Sequence, residues 1–178
     1  MKLYAANFIK DRSDAYALLA RAAEDCWGFT SLPEIARTPE GKPFFSAFPN
    51  FHFNLSHSQP YALCALGDAP VGVDIQIVKS TWRNSLPRRV CSPAELDWLE
   101  QQENRWAAFA LLWSMKEAKV KFTGTGLRTE IRSISVPLPK AGQNLYFQNG
   151  IWFRIFSGDG WQAAVCAQEP PPVEIIWL

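Results

Sequence analysis

Ile151–Ala167, IWFRIFSGDGWQAAVCA, has the same layout as Tyr61–Ile75, YALCALGDAPVGVDI: a strand, a Gly-Asp turn and a second strand. Short apolar runs bounded by glycine and aspartate read as antiparallel strands joined by tight turns. A helical pattern precedes each. In the first, Ser13 can cap a helix from Asp14 to about Cys26, with Tyr16, Leu19, Ala20 and Ala23 on one stripe. The second spans roughly Arg105 to Phe122 and stops at Gly124-Thr125-Gly126, where glycine can take a left-handed conformation. Two helices, each followed by an antiparallel meander, predict an α+β chain. It forms one domain, 1–178, of two similar halves, roughly 1–80 and 81–178.

Outward from this repeat, residues 3–9 read as a first strand. EIARTPEGKPFF, residues 34–45, reads as two extended pieces around a Pro-Glu-Gly turn, and FHFNL, residues 51–55, as a strand. Ser92-Pro93-Ala94-Glu95 has a capping serine, proline at the first helical position and glutamate at the third. Further strands are expected near 133–136 and 144–148. Pro170–Pro172 sets off a last segment, VEIIWL, apolar enough to dock as a strand.

Composition excludes several classes. A net charge of +1 leaves no footprint for nucleic acid or an anionic membrane, so any anionic ligand needs a local cluster of Lys, Arg and His. No stretch reaches the roughly 18 apolar residues of a membrane span, and MKLYAANFIKDRSDAY lacks the apolar run of a signal peptide. Cys26, Cys64, Cys91 and Cys166 stand alone with two histidines, which argues against zinc. Cys64 and Cys166 lie in apolar runs and read as buried thiols. Free cysteines without an export signal suggest a reducing cytoplasm. Two fused halves make a monomer sufficient.

Five stretches carry chemistry. In Val71-Gly72-Val73-Asp74-Ile75-Gln76-Ile77, strand alternation sets Gly72, Asp74 and Gln76 on one face. That face is either water-exposed or aims two oxygen-bearing side chains at a hard cation. In the helix, Trp106, Ala110, Trp113 and Glu117 share one stripe, which turns Glu117 inward. A buried carboxylate must be protonated, paired or bound to a cation. A plain Glu117–Lys121 pair is the alternative, and Lys116 and Lys119 read as solvated. In Asn54-Leu55-Ser56-His57-Ser58, neighbours on an extended chain point to opposite faces, so Ser56 and His57 cannot act as nucleophile and base. These residues suit an anion instead. Gly41-Lys42-Pro43 presents a lysine from a turn, and Gly124-Thr125-Gly126 is too short for a dinucleotide fingerprint.

The joint order GKP, FNLSHS, VGVDIQ, RRVCSPAE, WSMKEAKVKFTGTGL resembles the phosphopantetheinyl transferase superfamily. It is most similar to the surfactin-synthetase-activating branch, with its W-x-x-K-E-A motif followed by Lys and G-x-G-L. The resemblance covers roughly residues 15 to 130. It implies an α+β fold of two pseudo-symmetric halves, each a helix on a small antiparallel sheet, with the active site between them. It also implies a holo-[acyl-carrier-protein] synthase activity. A carrier-protein serine attacks the β-phosphorus of coenzyme A, taking the 4′-phosphopantetheine arm and releasing adenosine 3′,5′-bisphosphate. The carriers are those of fatty-acid, polyketide or nonribosomal-peptide biosynthesis.

By the same resemblance, Asp74, Gln76 and Glu117 bind Mg2+. Glu117, or a water it holds, is the base, and Lys121 steadies phosphate and leaving group. Lys42, Ser56, His57 and Lys121 contact the coenzyme A phosphates. Arg89 stands where the family often has a basic residue. Two departures matter: the family commonly has Glu where Gln76 stands, and its longer members carry more chain before the first helix, where this sequence offers Lys10 and Arg12. An alternative is a catalytically weak relative that binds coenzyme A or a carrier protein without efficient transfer. A metal-dependent phosphohydrolase needs more carboxylates or histidines than these.

Overall fold

Helix α1 (Arg12–Trp27) begins at Asp11, not at Ser13. The Asp11 carboxylate accepts from the backbone of Ser13 and Asp14, and the Asp14 carboxylate reaches back to the Asp11 N–H. Three backbone donors are thus satisfied by charges that also suit the helix dipole, and Ser13 instead donates its hydroxyl to Asp11. The buried stripe is accordingly Ala15, Leu18, Leu19, Ala22 and Ala23. The helix ends at Gly28, where φ is 72°.

The computed structural model describes residues 1–126 and 130–178. Strands β1 (Lys2–Ala6), β4 (His52–Ser58) and β5 (Tyr61–Gly67) form a sheet in the order β10-β1-β5-β4, where β10 is Ile176–Trp177. Strands β2 (Ile35–Arg37) and β3 (Pro43–Phe45) make a separate hairpin. The second sheet runs β6-β9-β8-β7, with β6 (Val71–Ile77), β7 (Leu145–Gln148), β8 (Ile151–Gly158) and β9 (Trp161–Ala167). Helices α3 (Pro93–Glu100) and α4 (Arg105–Thr123) fall where the caps predict. A short α2 (Leu86–Val90) was not anticipated.

Strand alternation builds four layers. Tyr4, Cys64, Leu66 and Phe53 pack beneath α1 with Leu18, Leu19 and Ala22. The opposite face of that sheet, through Leu3, Ala5, Leu63 and Ala65, meets Val73, Ile75, Ala163 and Val165 of the second sheet. The far face of the second sheet, Phe153, Ala164 and Cys166, carries α4 through Phe109, Leu112, Met115 and Ala118. Cys64, Cys91 and Cys166 are buried free thiols, and burial pushes Cys91 up to about 12.

The repeat is real, but in another register. Phe53 pairs with Leu66 and Leu55 with Cys64; Phe153 pairs with Cys166 and Ile155 with Ala164. The counterpart of Ile151–Ala167 is therefore Phe51–Gly67, not Tyr61–Ile75. Strand β6 opens the second unit as β1 opens the first, and each pairs antiparallel with the second strand of its hairpin. Each half is a strand, a helix and a hairpin. The sheets divide the chain between β5 and β6, ahead of residue 80, and β10 crosses back to lie parallel to β1.

Residues 133–136 do not form the expected strand. Ile134 and Val136 alternate inward as in a strand, but the region holds a 3-10 turn, Ile131–Ser133, and no paired strand. Its carbonyls go to side chains: Lys116 Nζ donates to Ile131 and Arg132, and Lys119 Nζ to Ser135.

Candidate active site

Gly72, Asp74 and Gln76 face α4, not water. A Cβ on Gly72 would lie 1.9 Å from the Ala118 oxygen and 2.4 Å from the Phe122 nitrogen, so only glycine lets the helix backbone settle on the strand. This contact brings the last turns of α4 over Asp74, which is 3% exposed. Its Oδ1 accepts from Lys121 Nζ at 2.6 Å and Ser56 Oγ at 2.7 Å. Its Oδ2 accepts from Gln76 Nε2 at 2.8 Å. Lys121 also donates to the Val73 carbonyl, so it pairs across to the strand and not with Glu117 one turn back.

Glu117 is half-buried on the same helix. Burial, and then the Asp74 charge, raise its carboxyl above the usual range; Lys121 and a hydrogen bond with Trp113 oppose them. A carboxylate short of compensation, beside a second one, is the environment a hard cation suits. Asp74, Glu117 and the Gln76 amide oxygen are the oxygen donors that strand and helix offer it. Gln76 turns its nitrogen to Asp74, so only a turned amide would add its oxygen. Among the described residues, no group of three His, Cys, Asp or Glu side chains forms a ready ligand cluster. Two carboxylates, with phosphate and water completing the shell, fit magnesium better than a metal that needs an all-protein cage.

Strand β4 adds a third wall. Asn54 Oδ1, Ser56 Oγ and Ser58 Oγ accept from the N–H groups of Val73, Ile75 and Ile77 at 2.9, 3.3 and 3.1 Å. These N–H groups lie on the free edge of β6, which pairs through its other edge with β9. Side chains thus replace a backbone ladder where the two sheets meet. His57 points the other way and is exposed.

Lys42 reaches the site from the β2–β3 hairpin. Its Nζ donates to the Phe122 carbonyl at 3.0 Å, satisfying an orphan oxygen at the α4 C-terminus. Burial lowers its pKa. Beside it lies a cavity of about 220 Å³, lined by Gly41, Lys42, Asn54, Lys121, Gly124 and Gly126. Leu127, the last residue of the G-x-G-L motif, lies outside the described residues. Arg89 is exposed on α2, and Lys10 and Arg12 are exposed at the start of α1.

Lys116 is not solvated. It is 0% exposed, pairs with Glu95 at 2.8 Å and donates to the Val90 carbonyl at 2.9 Å. Glu95 is also the capping-box residue of α3 and accepts from the Ser92 N–H. The pair ties α2, α3 and the 131–133 turn to α4. Its signal was present: Lys116 follows Phe109 and Leu112 on the apolar stripe.

A sequence model of the 4′-phosphopantetheinyl transferase superfamily matches residues 70–166, which run from just before β6 into β9. This is the half that holds Asp74, Glu117 and Lys121. A 4′-phosphopantetheinyl transferase of Bacillus pumilus is 36% identical over 140 residues, 75% of this chain and 60% of that protein. One from Bacillus subtilis is 34% identical over 137 residues, 73% of this chain and 61% of that protein. One from Salmonella typhi is 39% identical over 130 residues, 70% and 63%. A crystal structure of Thermotoga maritima holo-[acyl-carrier-protein] synthase aligns with TM-score 0.42 at 19% identity, over 58% of this chain and 64% of that one. The chain belongs to the 4′-phosphopantetheinyl transferase superfamily, and its Bacillus relatives support the branch its motifs resemble. It spans about 60% of the length of those relatives.

Proposed function

We propose that the chain transfers the 4′-phosphopantetheine group of coenzyme A to a serine of an apo carrier protein, with Mg2+. The observation that carries this reading is the meeting of Asp74, Glu117 and Lys121 where β6 and α4 touch, inside the region that matches the family. Phosphoryl-type transfer asks a protein to hold a pyrophosphate, offset its charge and position the incoming hydroxyl. Asp74 and Glu117, with the Gln76 oxygen as a further donor, would hold the magnesium. Bound there, it would supply charge neutralisation for the phosphate oxygens.

The other roles fall to this chain's own side chains. Glu117, beside Asp74 on the last turns of α4, is the candidate to take the serine proton, directly or through a water it holds. Lys121 has three N–H donors; two serve Asp74 and Val73, leaving one for the phosphate and its leaving oxygen. Lys42 likewise keeps two donors beyond its bond to Phe122. His57, exposed at the end of β4, is a candidate for the same anion. Both halves come from one chain, so a monomer suffices. Among the described residues no helix is long and apolar enough to cross a membrane. We place the protein in the reducing cytoplasm, where its four free thiols stay reduced.

One observation favours the weaker alternative, binding without efficient transfer: Gln76 brings no charge and turns its donor to Asp74. Incubation with coenzyme A, Mg2+ and an apo carrier protein decides between them by mass spectrometry. Pantetheinylated carrier is the expected product. Coenzyme A binding with an unmodified carrier would favour the alternative.

A further inference from the structure

We propose that the outer edge of β1 is a strand-acceptor groove, filled here by the chain's own residues 171–178 and able to take the same segment from a second copy. The repeat explains why this edge needs a filler. Phe53 and Leu55 correspond to Phe153 and Ile155, so Asn54, Ser56 and Ser58 correspond to Arg154, Phe156 and Gly158. The first three accept from N–H groups on the free edge of β6. The second three cannot do this for β1, the counterpart of β6. A guanidinium only donates, and Phe156 and Gly158 carry no polar side chain. Backbone groups left open at a sheet edge need another partner. Strand β10 supplies it: Tyr4 and Ala5 pair in parallel with Ile176 and Trp177, and the Ala5 carbonyl accepts from the Leu178 N–H at 2.9 Å.

Side chains of both halves seat the segment. Arg154 is 7% exposed and pairs with no carboxylate among the described residues; its Nε donates to the Pro171 carbonyl at 2.7 Å. Ile175 packs against the layer between the sheets that includes Leu3 and Ala5, and Leu178 against the layer beneath α1. Trp177 lies edge-on to Tyr61 and Trp161, with ring centroids 6.2 and 6.4 Å away. The hold is nevertheless narrow. The strand is two residues long, pairs on one side only, and leaves Ile176 and Trp177 40% and 48% exposed. Pro170–Pro172 set it apart from β9, so its departure breaks no pairing within the second sheet. A short strand that offers backbone bonds along one edge and alternate side chains to pockets is a ligand for β-augmentation, and identical elements exchange between copies at low cost.

The test uses the whole chain with Ile175→Asp, which sets a charge against the apolar layer and loosens the segment in cis. A fluorescein-labelled peptide of residues 170–178, PPPVEIIWL, stands for the segment of a second copy. Binding is followed by fluorescence anisotropy, and the Leu3 and Ala5 amides by hydrogen exchange. In the unmodified protein the tethered segment, at an effective concentration in the mM range, should exclude the peptide. Ile175→Asp should bind it at least about tenfold more tightly. Leu3 and Ala5 should exchange faster in the variant and regain protection when the peptide is added. A peptide carrying the same Ile175→Asp change should do neither. Should Ile175→Asp fail to fold, Trp177→Ala carries the same expectations. Unchanged protection of Leu3 and Ala5 in the variant would mean that the segment is not what holds the edge. Peptide binding no tighter than in the unmodified protein, or binding that restores no protection, would equally overturn the groove. Neither readout involves coenzyme A or a carrier, so failure of the transferase reading would leave the groove standing.

Discussion

Tyr4 and Asp74 hold the same place in the two halves. Tyr4 pairs in register with Cys64 and Asp74 with Ala164, each facing its own helix. Each bonds to a helix residue three positions before the terminating glycine: Tyr4 to Asp25 ahead of Gly28, Asp74 to Lys121 ahead of Gly124. The donors are reversed. In the first half the strand donates a phenol proton to an exposed helix carboxylate at 2.6 Å; in the second the helix donates an ammonium proton to a buried strand carboxylate at 2.6 Å. The first contact is a polar rim on an apolar interface that includes Leu18, Leu19 and Ala22. The second is a buried ion pair with a second carboxylate beside it. Such pairs stabilise little once desolvation is counted. One topology thus supports a contact that holds the fold and a contact suited to chemistry.

The largest effect is expected of Gly72→Ala. Its Cβ would overlap helix backbone, which cannot swing aside as a side chain can. We expect a loss of about 3 kcal/mol or more in chemical denaturation, with α4 displaced and transfer lost. A stable, active Gly72→Ala would mean that strand and helix need not touch.

Lys42→Ala should raise KM for coenzyme A by about 5- to 150-fold, equivalent to about 1–3 kcal/mol, with kcat little changed. A fall in kcat without a change in KM would instead assign Lys42 to the α4 C-terminus, through its bond to Phe122.

Glu117→Gln should raise the melting temperature of the metal-free protein near pH 7. The folded protein raises the Glu117 pKa, so the charged form is the disfavoured one. Wild-type stability is fully present below the unfolded pKa and declines as pH rises through the folded value. The advantage of Gln should therefore vanish at acid pH, where the glutamate is protonated in both states. Mg2+ should narrow it at neutral pH by stabilising the wild type alone. A melting temperature lowered at every pH would contradict the burial of an uncompensated charge.

The smallest effect is expected of Gln76→Glu, which adds a charge beside Asp74. The Mg2+ concentration for half-maximal transfer should fall by a few fold. An unchanged requirement would show that the side chain only buttresses Asp74, as its amide does here.

Legibility followed locality. That Glu117 turns inward was readable because a charge within an apolar stripe is costly enough to stand out, whereas the roles of Asp74, Glu117 and Lys121 came from the family resemblance alone. The two-half fold was readable as a repeat, yet its register was misjudged. The first hairpin turns at Gln59-Pro60, without the glycine signal of Asp159-Gly160, so the matching Gly-Asp pairs elsewhere drew the alignment. Ser56 and Lys116 were not legible in role. Ser56 meets its partner only when β4 comes beside β6, and Lys116 meets Glu95 and three carbonyls only when α2, α3 and the 131–133 turn close over α4. The helix start shifted to Asp11 for a smaller reason: a reciprocal pair of carboxylates outcompetes one hydroxyl.

The most direct test substitutes the paired positions in parallel, Tyr4→Phe and Asp74→Asn. Both keep size and remove the central bond of one half. Thermal unfolding and the rate of apo-carrier modification with coenzyme A and Mg2+ are measured for each. Tyr4→Phe should cost about 1 kcal/mol of stability and leave transfer within about twofold. Asp74→Asn should stay folded and lose at least about a hundredfold in transfer, because it removes a charge from the proposed metal site. An active Asp74→Asn, or a Tyr4→Phe as inactive as Asp74→Asn, would contradict the claim that only the second half's strand–helix contact is the active site.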